Sequence, residues 1–424
     1  MANNINIRVL SVCTSDVSGG AARAAYRIHH GVRALGVDSH MFVKSKGSTD
    51  PDVYALPEYV PNNPIYIAYD WCRTKIQNKI QHAHWYPYKE TKLNYFLSDL
   101  RGVDIHGALQ NINYDLLHLH WFNDRFVDIH ELTKVTKPII WTLHDSWPFC
   151  GICHLPMDCN HYESHCESCP MLGSKRERDL AYEVFEQKRD VYNDLDLHIV
   201  TPSRWLADCV KHSALLGGFP ITVIPNCIDT EVYYPMDKQE IAALFGLKPN
   251  KKYLLFGAMQ AISDRNKGFD LLLNALRNVK GIDAELIVYG TDDDLSKYKI
   301  PMPVHSLGYV RGDKQMAMLY NAADVTIVPS RSENLSNTIM ESLSCGTPVV
   351  GFAIGGNGDM IEHKQNGYLA KEKDAGDLAE GIQWSISHNE NKILGEHARA
   401  KVLDNYTIEK VATQYKELYE SLCK

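Results

Sequence analysis

The sequence predicts an α/β protein made of two Rossmann-like domains that face each other across a deep cleft. Its 424 residues suit two domains of ordinary size. Two series of short apolar runs alternate with helical segments, which is typical of doubly wound parallel sheets. A connector with two prolines, 221–235, separates the two series. We expect an N-terminal domain over 1–215, a C-terminal domain over 216–404, and a last amphipathic helix over 405–424. That helix could pack on either half, and the N-terminal domain is the expected one.

The first domain opens with the order strand, glycine turn, helix, strand. A β-branched run at 5–12 is followed by Gly19 and Gly20, a helical segment at 21–36 and a second apolar run at 39–44. This order is the usual opening of a doubly wound sheet. Later runs rich in branched and aromatic residues continue the sheet at 115–121, 138–145 and 197–203.

The pattern of strand and helix restarts after the connector, which indicates a second core. Apolar runs predict strands at 251–259, 284–290, 324–330 and 348–354. Between them, apolar residues recur every three or four positions, which predicts helices at 269–279, 313–323 and 336–346.

Composition and charge exclude several classes of protein. The chain is 45% hydrophobic and 23% charged with a net charge of −8, so it lacks the basic surface of a nucleic-acid-binding protein. The first residues show no basic segment followed by an apolar run, and no window approaches the ~20 apolar residues of a transmembrane helix. We therefore expect a cytoplasmic protein that has no nucleic-acid partner.

Two glutamates eight positions apart, Glu333 and Glu341, mark the main candidate site. Ligands of an open α/β sheet bind at the carboxyl ends of its strands, and the strand at 324–330 ends just before Glu333. The helix that follows offers backbone N–H groups and the positive end of its dipole to an anion. A carboxylate is a good acceptor for sugar hydroxyls. The arrangement therefore suits a ligand with a diphosphate between two polyols, which describes a nucleotide sugar.

Two cations and a group of capping residues support this interpretation. Arg265 and Lys267 follow the strand at 251–259, so they also lie at a strand-to-helix rim, where they would neutralise a leaving diphosphate. Residues that suit a helix N-cap region precede the second glutamate; they are Asn334, Ser336 and Asn337. A basic loop and two glutamates in solvent are the simpler explanation of each feature alone. Their recurrence at two strand ends favours a ligand site.

Several motifs resemble those of the retaining glycosyltransferases of family 4, which have the GT-B fold. In family order, the chain contains VIPNCID, NKGFDLLLNAL, PSRSENLSNTIMESLSCGTPVVGFAIGG and NGYLA. The third of these resembles the family's motif of two glutamates. In the first half, GGAARAAYRI, LLHLHW and IIWTLHDSWPFCGICH resemble a branch that assembles bacterial polysaccharides of the colanic acid type. The resemblance covers nearly the whole chain and implies the GT-B fold.

The resemblance also implies a role for each matching residue. Glu333 would bind hydroxyls of the donor sugar, His120 would face the reacting sugar, and Lys267 with Arg265 would bind the diphosphate. Arg265 is the candidate replacement for an arginine that the family usually has after glycine at the preceding strand end. Residues that would contact the rest of the donor are Gly19, Gly20, Asn334, Leu335, Ser336, Asn337 and Glu341, the last of them on the ribose.

The reaction implied by the resemblance moves a hexose-type sugar from a UDP- or GDP-sugar to a glycan or lipid-linked glycan, with retention of anomeric configuration. A leaving phosphate oxygen would help deprotonate the acceptor hydroxyl, so no catalytic cofactor and no protein nucleophile would be required. His144 and Asp145 are candidates for the acceptor side. Two alternatives stay open: an epimerase or phosphorylase of the same fold, and a non-catalytic sugar-binding subunit.

A cluster of cysteines at 150–169 predicts a structural Zn²⁺. Thiols stay reduced in the cytoplasm, and two Cys-x2-Cys pairs with a further cysteine between them have the spacing of zinc ligands. The preferred ligands are Cys153, Cys159, Cys166 and Cys169, with His154 and His161 as substitutes. Cys150 is left out because the related branch commonly lacks it. An iron–sulfur cluster and free buried thiols are the alternatives.

The segment at 71–90 combines basic and aromatic side chains. Arg73, Lys75 and Lys79 lie close to Trp71, Trp85 and Tyr86. Such a surface could contact an anionic membrane that carries a lipid-linked acceptor, which would place the protein at the inner face of the membrane. A helix in solvent explains the same pattern.

Overall fold

A computed structural model of the chain describes residues 7–56, 100–103, 105–110, 112–389 and 392–423, and the isolated positions 64, 68, 71, 72, 75, 76, 79 and 88. The chain divides into two compact units. Unit 1 comprises Met1–Pro202, Leu206–Ile224 and Ala412–Lys424, and unit 2 comprises Ser203–Trp205 and Pro225–Val411. No helix of the described residues is long and apolar enough to cross a membrane. Most of the segment at 71–90 lies outside the described residues.

Unit 1 is built on a parallel sheet. Its strands are β1 (Arg8–Ser15), β2 (Asp38–Ser45), β3 (Val53–Ala55), β4 (Leu116–Leu119), β5 (Ile139–Thr142), β6 (Leu197–Thr201) and β7 (Ile221–Val223). In the part of the chain that the structure describes, these seven strands have the order β3-β2-β1-β4-β5-β6-β7. The helices near it are α1 (Gly20–Ala34), α2 (Ile105–Leu109), α3 (Leu180–Tyr192) and α4 (Arg204–His212), whose first two residues belong to unit 2.

Unit 2 repeats this architecture. Its strands are β8 (Lys252–Gly257), β9 (Ala284–Tyr289), β10 (Val304–Ser306), β11 (Val325–Val328), β12 (Val349–Phe352) and β13 (Gly367–Ala370). These six strands are parallel and have the order β10-β9-β8-β11-β12-β13 among the described residues. The helices are α5 (Lys238–Leu244), α6 (Phe269–Asn278), α7 (Asp313–Ala322), α8 (Asn337–Ser344), α9 (Asn357–Met360), α10 (Ala375–His388), α11 (Ile393–Asn405) and the start of α12 (Ile408–Leu422), which belongs to unit 1 from Ala412 onward.

Alternate residues of the central strands of unit 2 pack into two separate apolar clusters. Leu255 and Ile287 belong to a cluster that includes residues of α5, α7, α8 and α11. Their neighbours Leu254 and Leu286 belong to the other cluster, with residues of α6 and α10. Helices therefore cover both faces of the sheet, which is the usual condition for a parallel sheet. The prediction of two Rossmann-like α/β domains is confirmed.

The last helix, α12, contributes buried tyrosines to unit 1. Tyr415 and Tyr419 lie one helical turn apart and are fully buried. The Tyr415 hydroxyl hydrogen-bonds the Thr142 hydroxyl at 3.0 Å, and the Tyr419 hydroxyl hydrogen-bonds His118 Nδ1 at 2.8 Å. The end of the chain is thereby tied to the carboxyl ends of β4 and β5.

One local prediction differs from the structure. Residues 221–223 were expected to begin the connector, but they form β7 at the edge of the first sheet, paired with β6. Pro220 lies just before this strand, where a missing N–H is tolerated at an edge. Three residues are too few for the strand to be recognised by alternation.

Candidate active site

Both sheets have a topological switch point, and the predicted site residues lie at these points. In unit 2, β8 is followed in the chain by β9 and β10 on one side, whereas β11 returns to pair with its other side. In unit 1, β4 returns to β1 in the same way. A crevice opens at the carboxyl ends of the strands where the direction of winding reverses, and ligands bind there.

Asn266 joins the two loops that leave β8 and β11. It is 3% exposed, its side-chain oxygen accepts from the Ser332 N–H at 3.0 Å, and its side-chain nitrogen donates to the Ser332 carbonyl at 2.9 Å. The Arg331 N–H also donates to the Asn266 carbonyl at 2.8 Å. This pairing sets the register of the two loops, so the next residue of each, Lys267 and Glu333, can meet.

Lys267 and Glu333 form an ion pair at this switch point. Lys267 Nζ lies 2.8 Å from Glu333 Oε1, and the two side chains are 26% and 16% exposed. The negative charge of Glu333 raises the pKa of Lys267, so the ammonium stays charged. The structure thus brings together a cation that can bind phosphate and a carboxylate that can accept from sugar hydroxyls.

Two glycines allow the Glu333 loop to be packed closely on either side. Gly268 has φ +70°, and a Cβ there would lie 1.9 Å from the Pro329 carbonyl oxygen. Gly355 has φ +48°, and a Cβ there would lie 1.7 Å from the Glu333 carbonyl oxygen. A side chain at either position would therefore push the loop away.

The N-terminus of α8 follows directly. Ser336 has extended backbone angles at the N-cap position, and within the described part of the chain its hydroxyl makes no capping hydrogen bond. The N–H groups of the first turn therefore remain directed toward an anion site. Asn334 Oδ1 accepts from the Ser203 hydroxyl at 2.8 Å. The side chain of Leu335 packs in the apolar core, so only its backbone can contact a ligand.

Glu341 lies inside α8 and is only 4% exposed. The Tyr320 hydroxyl donates to Glu341 Oε2 at 3.0 Å, and the Tyr289 and Tyr320 hydroxyls are 3.4 Å apart. Burial raises the pKa of Tyr320 well above its usual value and that of Tyr289 to about 12, so both hydroxyls keep their protons. Sequence reasoning missed both tyrosines. In the sequence, these tyrosines are marked only by their place at positions that are otherwise apolar. A hydroxyl that is buried there needs a hydrogen-bond partner.

The predicted diphosphate arginine, Arg265, has an exposed side chain. A second arginine that sequence reasoning missed lies beside it. Arg331 donates from Nη1 to the Arg265 carbonyl and from Nη2 to Asp270 Oδ2, each at 2.6 Å. Arg331 therefore braces the turn that carries Lys267.

In unit 1, the turn after β1 carries the predicted glycines. Gly19 has φ +96° and occupies the N-cap position of α1, and Gly20 is the first residue of that helix. Both are exposed. The left-handed angle at Gly19 favours glycine, and the missing side chains leave the helix N-terminus open.

The neighbouring strand ends bring three histidines together. His120 Nδ1 hydrogen-bonds His144 Nε2 at 3.0 Å, and the His118 and His120 rings are 4.1 Å apart. Burial lowers the pKa of His118 to about 3 and that of His144 to about 4, and it lowers the pKa of His120 well below its usual value. All three rings are therefore neutral near pH 7. His120 Nε2 is a buried nitrogen without a hydrogen-bond partner among the described residues.

Asp145 is held beside these histidines by three donors. Its Oδ1 accepts from the Trp147 N–H at 2.9 Å, and its Oδ2 accepts from Trp121 Nε1 at 3.0 Å and faces His154 Nδ1 at 2.5 Å. Burial raises the pKa of Asp145, but the interaction with His154 and the N–H donors of Trp147 and Trp121 together outweigh burial and lower it below the usual value. The carboxylate is therefore ionised. His154 is a further residue that sequence reasoning did not place here.

The structure corrects the prediction of a structural Zn²⁺. Among the described residues, no group of three or more His, Cys, Asp or Glu side chains is arranged to hold a metal ion. The five cysteines of the segment do line one small cavity together with His161. One of these thiols, Cys166, accepts at Sγ from the Gly151 N–H at 3.2 Å. The spacing of Cys153, Cys159, Cys166 and Cys169 predicted their proximity but not a ligand geometry.

Comparison with known proteins agrees with the fold. Residues 18–232 match the family model "Glycosyltransferase Family 4", and residues 250–388 match "Glycosyl transferases group 1". The structure of the Anabaena protein HepE, in complex with UDP and glucose, is similar with a TM-score of 0.64 at 17% identity, over 98% of this chain and 100% of that one. These findings define the class, a glycosyltransferase with the GT-B fold. The chain belongs to glycosyltransferase family 4.

Two curated relatives extend the comparison. The Escherichia coli K12 protein WcaC, described as a colanic acid biosynthesis glycosyl transferase, is 23% identical over 346 residues, which are 78% of this chain and 80% of that protein. The N-acetyl-alpha-D-glucosaminyl L-malate synthase of Bacillus anthracis is 24% identical over 217 residues. That match spans 49% of this chain and about half, 55%, of the relative.

Proposed function

We propose that this protein is a retaining hexosyltransferase that uses a nucleoside diphosphate sugar and acts in the assembly of a surface polysaccharide. One observation carries the proposal: Lys267 and Glu333 are paired at 2.8 Å at the switch point of unit 2, in front of the N-terminus of α8. A cation and a carboxylate at the ends of two neighbouring strands, together with the N-terminus of α8, match a ligand that contains both a phosphate and a polyol.

In the proposed complex, the diphosphate takes Lys267 as its counter-charge and lies against the N–H groups at the start of α8. Glu333, released from Lys267, accepts hydrogen bonds from the donor sugar. Glu341 accepts from the ribose hydroxyls. Arg265 assists at the diphosphate, and the backbone from Asn334 to Asn337 and the turn at Gly19 and Gly20 approach the donor closely.

Catalysis in this proposal is electrostatic. As the bond between sugar and phosphate breaks, negative charge develops on the diphosphate, and fixed donors stabilise it without reorganisation. The leaving phosphate oxygen takes the proton of the acceptor hydroxyl on the same face, which retains the anomeric configuration. His120 faces the reacting sugar, with His144 and Asp145 on the acceptor side. The step requires no metal ion or other cofactor.

The proposal also specifies the base of the donor and the kind of acceptor. UDP is the first choice, because the similar HepE structure contains UDP and glucose, and GDP is the second. The likeness to WcaC supports a glycan acceptor, and a lipid-linked glycan is a further form that we propose for it. The proposed location is the cytoplasm, at the inner face of the membrane where a lipid-linked acceptor would be presented.

A thermal-shift screen against UDP-, GDP-, ADP- and CMP-sugars tests the proposal. A ligand at 100 times its Kd adds about 2.7 kcal/mol to the free energy of unfolding, which is easily detected. We expect a shift with one nucleotide family, lost in Glu341→Gln and kept in Glu285→Gln. Glu285 is a suitable control because it is a half-buried glutamate of the same unit, paired with His305 at 2.6 Å.

Turnover separates the remaining alternatives. Release of nucleotide that is much faster when a glycan is added supports a transferase. A donor converted to another nucleotide sugar, or consumed with phosphate, would replace the proposal by an epimerase or a phosphorylase. Binding without any turnover would indicate a non-catalytic subunit, and no binding of any nucleotide sugar would contradict the proposed site.

A further inference from the structure

Hydrogen bonds join the cysteine-rich segment at 150–169 to α3 and its N-cap at both ends of the segment. Lys188 of α3 is fully buried and donates to the carbonyls of Trp147 at 2.6 Å and of Cys150 and Gly151 at 2.9 Å each. Asp179, the N-cap of α3, accepts at Oδ2 from the Cys169 N–H at 2.6 Å. Three N–H donors on one ammonium fit three carbonyls. These hydrogen bonds therefore fix the position of the segment relative to α3.

With the segment held in this way, His154 lies at the carboxyl ends of β4 and β5. The Ser146 N–H donates to the His154 carbonyl at 3.0 Å, and His154 Nδ1 faces Asp145 Oδ2 at 2.5 Å. Trp121 follows β4 and shares the same carboxylate oxygen, and its ring centroid lies 6.0 Å from that of His154. Trp121, Asp145 and His154 thus form one cluster beside the switch point of unit 1.

The cluster keeps hydrogen-bonding capacity for a ligand. A carboxylate offers about four acceptor positions, and the three donors to Asp145 leave one of them. The bond to the Asp145 carboxylate requires a proton on Nδ1 of His154, so Nε2 is the ring nitrogen that remains for a ligand. Among the described residues, Nε2 has no hydrogen-bond partner and is not one of the atoms sealed from solvent. Asp145 and His154 are 18% and 17% exposed, respectively.

Charge and shape narrow the ligand to a neutral sugar. The Asp145 carboxylate would repel a phosphate, and the nearby Lys188 ammonium is buried and directed at carbonyls. The free position of Asp145 and His154 Nε2 suit two hydroxyl groups of one sugar ring. An indole that is partly exposed, as Trp121 is, offers a flat apolar face for the C–H side of such a ring.

We propose that Trp121, Asp145 and His154 form a subsite for a pyranose of the acceptor glycan, with His154 supplied by the cysteine-rich segment. The inference rests on the proposed function and adds to it the residues that hold the acceptor sugar. In this subsite, the free position of Asp145 accepts from one ring hydroxyl, and His154 Nε2 forms a hydrogen bond with a second. The cysteine-rich segment then positions His154 at the carboxyl ends of β4 and β5.

The test uses the full chain and measures release of nucleotide from its donor with and without a sugar acceptor. The probes are the methyl α-pyranosides of glucose, galactose and mannose. His154→Asn keeps an N–H near the Nδ1 position for Asp145 but removes Nε2, and Trp121→Phe removes the indole. We expect each variant to raise the KM for the stimulating glycoside about tenfold or more, as expected for a lost hydrogen bond to a polyol. The slow release of nucleotide without acceptor should stay within about twofold, because the donor groups are untouched.

His130→Asn is the matched control. His130 also pairs through Nδ1 with an aspartate, Asp128, at 2.8 Å, but it lies on the turn before β5. An unchanged acceptor KM in His154→Asn, or an equal rise in His130→Asn, would overturn the inference while leaving the proposed function in place. Donor turnover that no glycoside stimulates or binds would also overturn it. Absence of donor turnover in the wild type would contradict the proposed function itself, and the subsite with it.

Discussion

Replacing Lys267 by alanine tests the donor site and its packing together. Lys267 Nζ lies 2.8 Å from Glu333 Oε1, and both side chains are largely buried, at 26% and 16% exposure. Removing the ammonium leaves the Glu333 carboxylate without its counter-charge in a site that water reaches only in part. The substitution should therefore reduce both turnover and stability.

The loss of stability can be bounded from the geometry. A hydrogen bond to a charged group contributes about 1.5–3 kcal/mol, and partial exposure of this pair places it at the lower end of that range. For a unit of about 190 residues, each kcal/mol lowers Tm by roughly 2–4 °C. We expect Tm of the transition of unit 2 to fall by about 3–8 °C. Turnover should fall by about 10²–10³, as found when one preorganised charge-stabilising group is removed.

A double variant separates the two effects. Lys267→Met with Glu333→Gln removes both charges at similar volume, so the lost stability should return while activity stays low. Calorimetry gives Tm, and initial rates of nucleotide release give turnover. If Lys267→Ala keeps turnover within tenfold of the wild type, the assignment of the diphosphate site is wrong. If its Tm equals that of the wild type, the ion pair does not hold the loop.

Three further substitutions test the surrounding structure. Tyr320→Phe removes the hydroxyl that donates to Glu341 Oε2 at 3.0 Å and should weaken UDP binding about tenfold by titration calorimetry; unchanged affinity would disconnect Tyr320 from the site. Gly268→Ala should lower Tm and abolish donor binding, because its Cβ would lie 1.9 Å from the Pro329 carbonyl oxygen, and normal binding would contradict this packing. His144 has a folded pKa of about 4, lowered by burial, so its contribution to stability is present above pH 6.5 and is lost as pH falls toward 4, by up to about 1.4 kcal/mol per pH unit. Urea unfolding at pH 7 and pH 5 should show a smaller pH dependence for His144→Asn than for the wild type, and equal dependence would refute the buried neutral ring.

Sequence patterning predicted most of the second domain. The run expected at 251–259 is the strand Lys252–Gly257, and the helix expected at 336–346 is Asn337–Ser344. Apolar periodicity reports which face of an element is buried, and this information is local. The placement of Lys267 and Glu333 at strand ends could therefore be expected, because parallel strands present their carboxyl ends on one edge.

Contacts between distant residues could not be predicted in this way. Asn266 and Ser332 are 66 positions apart, and nothing in either segment indicates that one amide pairs with the other's backbone. The contact between Tyr320 of α7 and Glu341 of α8 could not be predicted either, because it also joins two separate segments. The cysteine spacing did predict a cluster, but it carried no information on how the thiols are arranged within it. Such partners depend on tertiary packing alone.

The stereochemistry of the product tests whether this protein is a retaining glycosyltransferase. The donor found by thermal shift, in its α-linked form, would be followed by proton NMR during the reaction, with the anomeric proton of the transferred or released sugar as the signal. We expect release of the nucleoside diphosphate and a product that first appears as the α-anomer, with both signals lost in Lys267→Ala. A product that first appears as the β-anomer, or a donor left intact by the wild-type protein, would contradict a retaining glycosyltransferase.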